Sequence, residues 1–323
     1  MSVKKVLSLD EFLHSHDPVD DIKKINLRFF PTPYRVEVND KACKLLFNLS
    51  ERSFSKLVSF DKRFHVIEKK DHPKHGEVTS NFRLKFTNGY SALNPFTEFD
   101  RAVCSAYLSE FVGGKPLTTS SVIYRSITGK IGDSDANPSC NQLATISSSL
   151  DKLMFTMYDP DISDAFEKLG YTAKEKIILK SVIMPGHRVS CVLNGTLVSD
   201  VIFFGEQSPL LTIAKLKNNQ LLTYDAHLLN VPNQNNTPLT IMLKNYSMRR
   251  IQEIKAHRKQ MYPTLTFNDI FSKCRIENAD RKKKLRARET LIEFIDHLKN
   301  EGELKSFDVV KSGNTFSKIK LGL

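Results

Sequence analysis

"ADRKKKLRARETLIEFIDHLKNEG", residues 279–302, has the periodicity of a helix but carries its charges at the wrong end. The start of a helix is the positive end of its dipole, which favours Asp and Glu there by roughly 0.3–1 kcal/mol. This stretch instead puts Arg281, Lys282, Lys283, Lys284, Arg286 and Arg288 in its first turns. Stepping about 100° per residue from Arg281, Leu285, Leu291, Ile292, Ile295 and Leu298 fall within about 140° of one another. That stripe is expected to face the core, with Lys282, Lys283 and Arg286 opposite. Arg281, Lys284 and Arg288 fall inside the apolar sector, so they are helical only if the first turns project beyond the core. A helix entering a nucleic-acid groove does this, and phosphates then neutralise the cluster. The competing reading starts the helix near Leu285 and leaves "RKKK" as a solvated loop.

The flanking sequence supports the helix. Upstream, "PLTIMLKNYSMRRIQEIKAHR" predicts a long helix ending before "MYPT", and "TFNDIFSKC" a short one capped by Thr266. Downstream, "LKSFDVVKSGNTFSKIKL" predicts a hairpin turning at Ser312-Gly313-Asn314. The same order occurs earlier. "TEFDRAVCSAYLSEF" opens on Thr97 as N-cap, with Val103, Tyr107 and Phe111 on one face. "TTSSVIYRSITGK" stops at Gly129. In "PSCNQLATISSSLDKLMF", Leu143, Ile146, Leu150, Leu153 and Met154 form an apolar arc. "RVSCVLNGTLVSDVIFF" folds back at Asn194-Gly195, a strong hairpin signal. Three helices and a two-stranded wing make a winged helix-turn-helix, whose third helix fits the major groove.

The expected fold is therefore α+β and mainly helical. It comprises an N-terminal α/β extension (1–88), a first winged-helix domain (89–206), a connecting segment (207–237) and a second, DNA-binding winged-helix domain (238–323). "VPNQNNTP", residues 231–238, is the linker. Within the extension, "YRVEVNDKACKLLFNLSERSFSKLVSF" predicts a strand and then a helix with Leu45, Leu46, Leu49 and Phe54 inward. "IEKKDHPKHGE" reads as a loop, "NFRLKF" as a strand, and at most a short helix follows Ser8.

The chain has 323 residues, of which 40% are hydrophobic and 26% charged, an ordinary globular composition. Its net charge is +12, and residues 238–323, with 19 Lys and Arg against 10 Asp and Glu, carry +9 of it. The other 237 residues carry only +3. Five scattered cysteines without a C-x-x-C pair argue against a disulfide framework or structural zinc, and favour a reducing cytoplasm. There is no apolar leader and no stretch near 18 apolar residues, so a cytoplasmic chain free of membrane is expected.

The wing adds Lys311, Ser312, Asn314 and Lys318 as candidate contacts to phosphate or the minor groove. Arg249 and Arg250 are further phosphate candidates. In the first unit, the outward arc of the third helix offers Asn141, Thr145, Ser148, Ser149 and Lys152, with Gln142 beside it. Asn and Gln pair bidentately with adenine, so this face is a candidate base reader, though an exposed helix or a subunit interface would carry the same residues.

Catalytic chemistry is not expected. "SITGKIG" and "VGGKPLT" lack the first glycine of a P-loop and the Ser/Thr after its lysine. "LHSHD" (His14, His16) does not give a nickase metal pair on a strand, and "DHPKH" (His72, His75) has no third ligand. No Ser-His-Asp or Cys-His arrangement is evident, and neither a cofactor nor a metal is expected.

The run "NPFTEFDRAVCSAYLSEF…TTSSVIYRSITGK…SCNQLATISSSLDKL", with "KNYSMRRIQEIKAHRK…TFNDIF…KKLRARETLIEFIDHLKNEGEL…FDVVKSGNTFSKIKL", resembles the tandem winged-helix, iteron-binding replication initiators of plasmids. The likeness spans about residues 90–323 and rests on element order and apolar pattern. It implies that the C-terminal unit reads a repeated origin site through Arg281–Arg288. It also implies that the first unit contacts neighbouring DNA or forms a homodimer, and that host helicase or initiator proteins are recruited. The N-terminal extension and the insertion "DPDISDAFEKLGYTAKEK" depart from that pattern. A transcriptional regulator of the same architecture and a helicase-loader or adaptor protein are the alternatives.

Overall fold

The structure is a computed structural model that describes residues 29–48, 66–72, 76–86, 95–160, 162–163, 166, 177–194, 196–217, 220–313 and 315–323. Strand β1 (Tyr34–Val38) and helix α1 (Lys41–Leu46) come first, followed by the antiparallel pair β2 (Val66–His72) and β3 (Gly76–Phe86). Of the stretch 67–77, expected as a loop, residues 67–72 form most of β2 and residues 76 and 77 open β3, because backbone pairing overrides their charged composition. The short helix expected after Ser8, and Leu49 and Phe54, lie outside the described residues.

Next come α2 (Glu98–Val112), β4 (Leu117–Thr118), α3 (Ser120–Thr128), α4 (Cys140–Met154), β5 (Thr156–Pro160), β6 (Ser181–Val182), β7 (Gly186–Leu193) and β8 (Thr196–Phe204). Helix α5 (Pro209–Leu216), β9 (Leu221–Asp225) and a 3₁₀ turn (Ala226–Leu229) lead into the last unit. That unit is α6 (Pro238–Ala256), β10 (Thr264–Thr266), α7 (Phe267–Lys273), α8 (Arg281–Asn300), β11 (Ser306–Ser312) and β12 (Thr315–Gly322). Most of "DPDISDAFEKLGYTAKEK" lies outside the described residues.

One topology occurs twice. A helix, a short strand, two helices and a hairpin form a sheet in the order β4-β8-β7 in the first unit and β10-β12-β11 in the second. In both, the residue closing the short strand or directly after it caps the next helix. Thr119 Oγ1 accepts from Val122 N (3.1 Å), and Thr266 Oγ1 from Asp269 N (3.3 Å). Both hairpins break register in the half nearer the turn, between Cys191 and Val192 and between Val310 and Lys311. The first unit differs by inserting β5 and β6, which join β3 and β2 in a four-stranded sheet.

Helix α2 is central. Thr97 caps it through a capping box with Asp100, and Val103 and Tyr107 are buried. So are its charged residues, each held by a partner from another element or the loop after it. Glu98 meets Arg249, Asp100 meets Lys152, Arg101 donates to the Val38 carbonyl (3.0 Å), and Glu110 pairs with Lys115 (2.6 Å). The expected one-faced helix is thus buried nearly all round. Helix α3 stops at Gly129, whose φ of 80° is the left-handed conformation that ends a helix.

Residues 34–47 and 209–225 are not appendages. Strand β1 pairs antiparallel with β9, and Val36 N donates to Ser109 Oγ of α2 at 2.8 Å. Val38, Cys43, Leu46 and Phe47 share one core with α2, α3, α4 and α5. A second core gathers α6, α7, α8 and the β12 residues Ile319 and Leu321. The expected linker ends as Thr237 caps α6 and Pro238 takes its first turn.

Polar contacts join the two units. Besides Arg249–Glu98, Asn245 Nδ2 donates to the Ile127 carbonyl (3.0 Å), Gln142 Nε2 to Asn236 (2.9 Å) and an Arg275 guanidinium NH₂ to Phe96 (2.9 Å). Buried Lys244 donates to the Leu229 carbonyl (2.7 Å) and to Asn236 Oδ1 (2.9 Å). All five cysteines are free. Among the described residues no helix is long and apolar enough to cross a membrane, and no cluster of acidic, His or Cys side chains could hold a metal.

Candidate nucleic-acid interface

Helix α8 begins at Arg281, so the "RKKK" run is helical rather than a loop. Asp280 makes this possible: its Oδ1 accepts from Lys283 N at 2.7 Å, placing a carboxylate at the positive end of the dipole. The unfavourable charge order of the sequence is offset by that one capping residue.

The buried stripe of α8 is Ala287, Leu291, Phe294, Ile295 and Leu298. This corrects the expected stripe by a rotation of about 60° around the helix axis at 100° per residue. Leu285, expected in the core, is 45% exposed, and Ile292 is half-buried. Small Ala287 and large Phe294 are instead buried in the second core together with residues of α6 and α7. Arg281 therefore lies on the open face rather than in the apolar sector.

Arg281, Lys282, Lys283 and Arg286 are exposed, and among the described residues no ion pair joins them to an acid. Lys284 is half-buried. Arg288 is also half-buried, its guanidinium over the rings of Phe271 (5.1 Å) and Phe267 (5.7 Å) of α7. The first turns of the helix thus carry four open cations and one, Arg288, whose charge is engaged by aromatic faces.

In the hairpin, Lys311 and Ser312 are exposed, and Lys311 Nζ sits 5.2 Å from the Phe316 ring centre. Lys318 is half-buried in mid-strand, opposite Val310 and Thr266. Asn314 lies outside the described residues.

Several other expected contacts are occupied by the fold. Arg249 is a correction: it is 5% exposed, and its two terminal nitrogens hold both Glu98 oxygens at 2.9 Å. Burial disfavours its charge, but Glu98 more than compensates and holds its pKa above the ordinary arginine value. Arg250 pairs with Glu253 at 2.9 Å. Lys152, 8% exposed, is likewise a correction: it sits between Asp100 (2.9 Å), the Pro95 carbonyl (2.8 Å) and the Phe96 ring. Gln142 cannot present its amide to adenine here. Its Oε1 accepts from Ser139 N (2.9 Å) and its Nε2 is bonded to Asn236. Ser149 is buried on Asp100. Thr145 turns its hydroxyl to the Asn141 carbonyl (2.8 Å), leaving Asn141 and Ser148 exposed on that arc.

The first hairpin has its own arginine, and it too is engaged. Arg188 of β7 binds Asp200 (2.7 Å), Asp151 (2.7 Å) and Ser147 Oγ (2.8 Å), tying the hairpin to α4. Arg101, Lys152 and Arg188 of the first unit serve internal contacts, whereas the second unit leaves a cationic row open. His14, His16 and His75 lie outside the described residues.

No family model and no curated protein matches the chain. Among solved structures it is similar to the crystal structure of RctB domains 2-3, with 7% identity, 82% of this chain and 94% of that one covered, and a TM-score of 0.39. It is similar also to the selenomethionine derivatives of domain 2 and domain 3 of RctB, with 9% identity, coverage of 82% and 92%, and a TM-score of 0.36.

Proposed function

We propose that this chain is a sequence-specific duplex DNA-binding protein that initiates replication of a plasmid or mobile element. In this reading residues 89–206 and 238–323 are each winged helices, and neither carries catalysis or needs a cofactor. The observation that supports it is the exposed row Arg281, Lys282, Lys283 and Arg286, without an acidic partner among the described residues. Four like charges within two turns repel one another, and a duplex phosphate backbone relieves that repulsion while releasing counterions. Exposed Lys311 and Ser312 on the hairpin suit a flanking backbone contact. Binding at repeated origin sites, local bending or melting and recruitment of host helicase or initiator proteins would follow. The resemblance to iteron-binding initiators favours replication as the use of the bound site.

The test is a mobility shift on fragments of the chain's own locus across a salt series. Replacing Lys282, Lys283 and Arg286 together by Ala should lower the log–log salt slope by about 0.9 for each phosphate no longer neutralised, or about 2.7 in all. Unchanged slope and affinity in a folded variant would remove α8 as the reader, and failure to select any fragment would favour the adaptor reading. Loss of autonomous maintenance when the gene is deleted from a minimal replicon would separate initiation from transcriptional regulation.

A further inference from the structure

Around the open face of the first nine residues of α8, at about 100° per residue, the exposed side chains run Arg281, Leu285, Glu289, Lys282, Arg286, and further along the same face Glu293 and Asp296 are exposed. Both edges of this face are cationic, and two of the three central positions are an apolar side chain and a carboxylate. A lone exposed leucine is ordinary on a protein surface. Leu285 differs in its setting: it is 45% exposed, lies outside the second core, and sits amid the cations. Glu289 is exposed too, and among the described residues it has no ion-pair partner. A carboxylate facing a polyanion is repelled unless it meets a hydrogen-bond donor.

A helix lying in the major groove turns its edges to the two phosphate walls and its centre to the base edges. Cations suit the walls. On the floor, the apolar group available is the thymine 5-methyl, and the donors are exocyclic amines, of which cytosine N4 is the usual partner of Glu. Leu285 and Glu289 are four residues apart, a rise of about 6 Å, so with a base-pair step of about 3.4 Å their targets lie within about two base pairs of each other. We infer that Leu285 and Glu289 are the specificity-determining pair of this helix, Leu285 packing on a thymine methyl and Glu289 accepting from a cytosine amine close by. The inference rests on the DNA-binding reading above.

The test starts by enriching sites from a random duplex library with the full chain. Each thymine of the enriched site is then replaced singly by deoxyuridine, which removes only the methyl. One replacement should weaken wild-type binding about fourfold, the effect of one buried methyl, and should leave Leu285→Ala unaffected. Glu289→Gln should relax selection for one C·G pair within about two base pairs of that thymine, by about tenfold. Both side chains are exposed, so thermal melting of the variants should match wild type. An enriched site indifferent to every deoxyuridine replacement and unaltered by Glu289→Gln would overturn this inference while leaving DNA binding intact. No enrichment by the wild-type chain would overturn the DNA-binding reading and this inference with it.

Discussion

Arg249→Met removes a guanidinium while keeping most of the side-chain stem, and the outcome separates an internal strut from a phosphate contact. Arg249 is 5% and Glu98 2% exposed, and the pair is bidentate at 2.9 Å. Removing one member leaves the other charge buried without a counter-charge, which costs about 3–5 kcal/mol. Replacing both with apolar or neutral groups of similar volume avoids that cost, so Glu98→Gln with Arg249→Met should lie within about 2 kcal/mol of wild type. With each single substitution costing about 3–5 kcal/mol, the resulting coupling energy of at least about 4 kcal/mol is measurable in a double-mutant cycle. The chain has no Trp, so urea unfolding is best followed by circular dichroism. In parallel, the salt slope of DNA binding should stay at the wild-type value in Arg249→Met. Unchanged stability together with a slope lower by about 0.9 would mean that Arg249 reaches a phosphate, and would refute the argument.

Lys244 gives a pH dependence. Burial, with Lys130 nearby, lowers its pKa from 10.5 to about 8. Between those values the unfolded chain holds the proton more firmly than the folded one, so stability rises with pH in that window and the penalty is complete below it. Relative to Lys244→Met, wild type should gain about 3 kcal/mol from pH 8 to 10.5 in urea titrations, and a flat difference would contradict this. Gly129→Ala places a methyl at φ +80° and 2.3 Å from Asn230 N. It should cost roughly 2–4 kcal/mol, and a melting temperature equal to wild type would contradict the close approach of α3 to the inter-unit segment.

The element order is legible because each helix advertises its ends. Thr97, Thr266 and Gly129 act as the caps and stop that their types suggest, and Asn194 adopts the positive φ of its hairpin turn. Less is legible where pairing is distant. Nothing in "YRVEV" announces a partner in "LLTYD", nearly two hundred residues on, because antiparallel backbone pairing leaves no local signature. Periodicity alone misplaces the face of α8 because five branched apolar residues outweigh Ala287, whose small side chain marks the packed side only once α6 and α7 are present. Arg249 and Lys152 read as surface cations because charge alone does not reveal a buried partner. Their acids, Glu98 and Asp100, both lie on α2, 151 and 52 residues away in the chain.

Asp280 governs the angle from which a charged surface can reach the last long helix. Its carboxylate already holds the Lys283 amide and sets a negative charge at the tip. A phosphate arriving end-on would meet that charge, whereas one arriving from the flank meets Lys282 and Arg286. The cap that lets the helix start so early therefore also favours a broadside contact over an axial one.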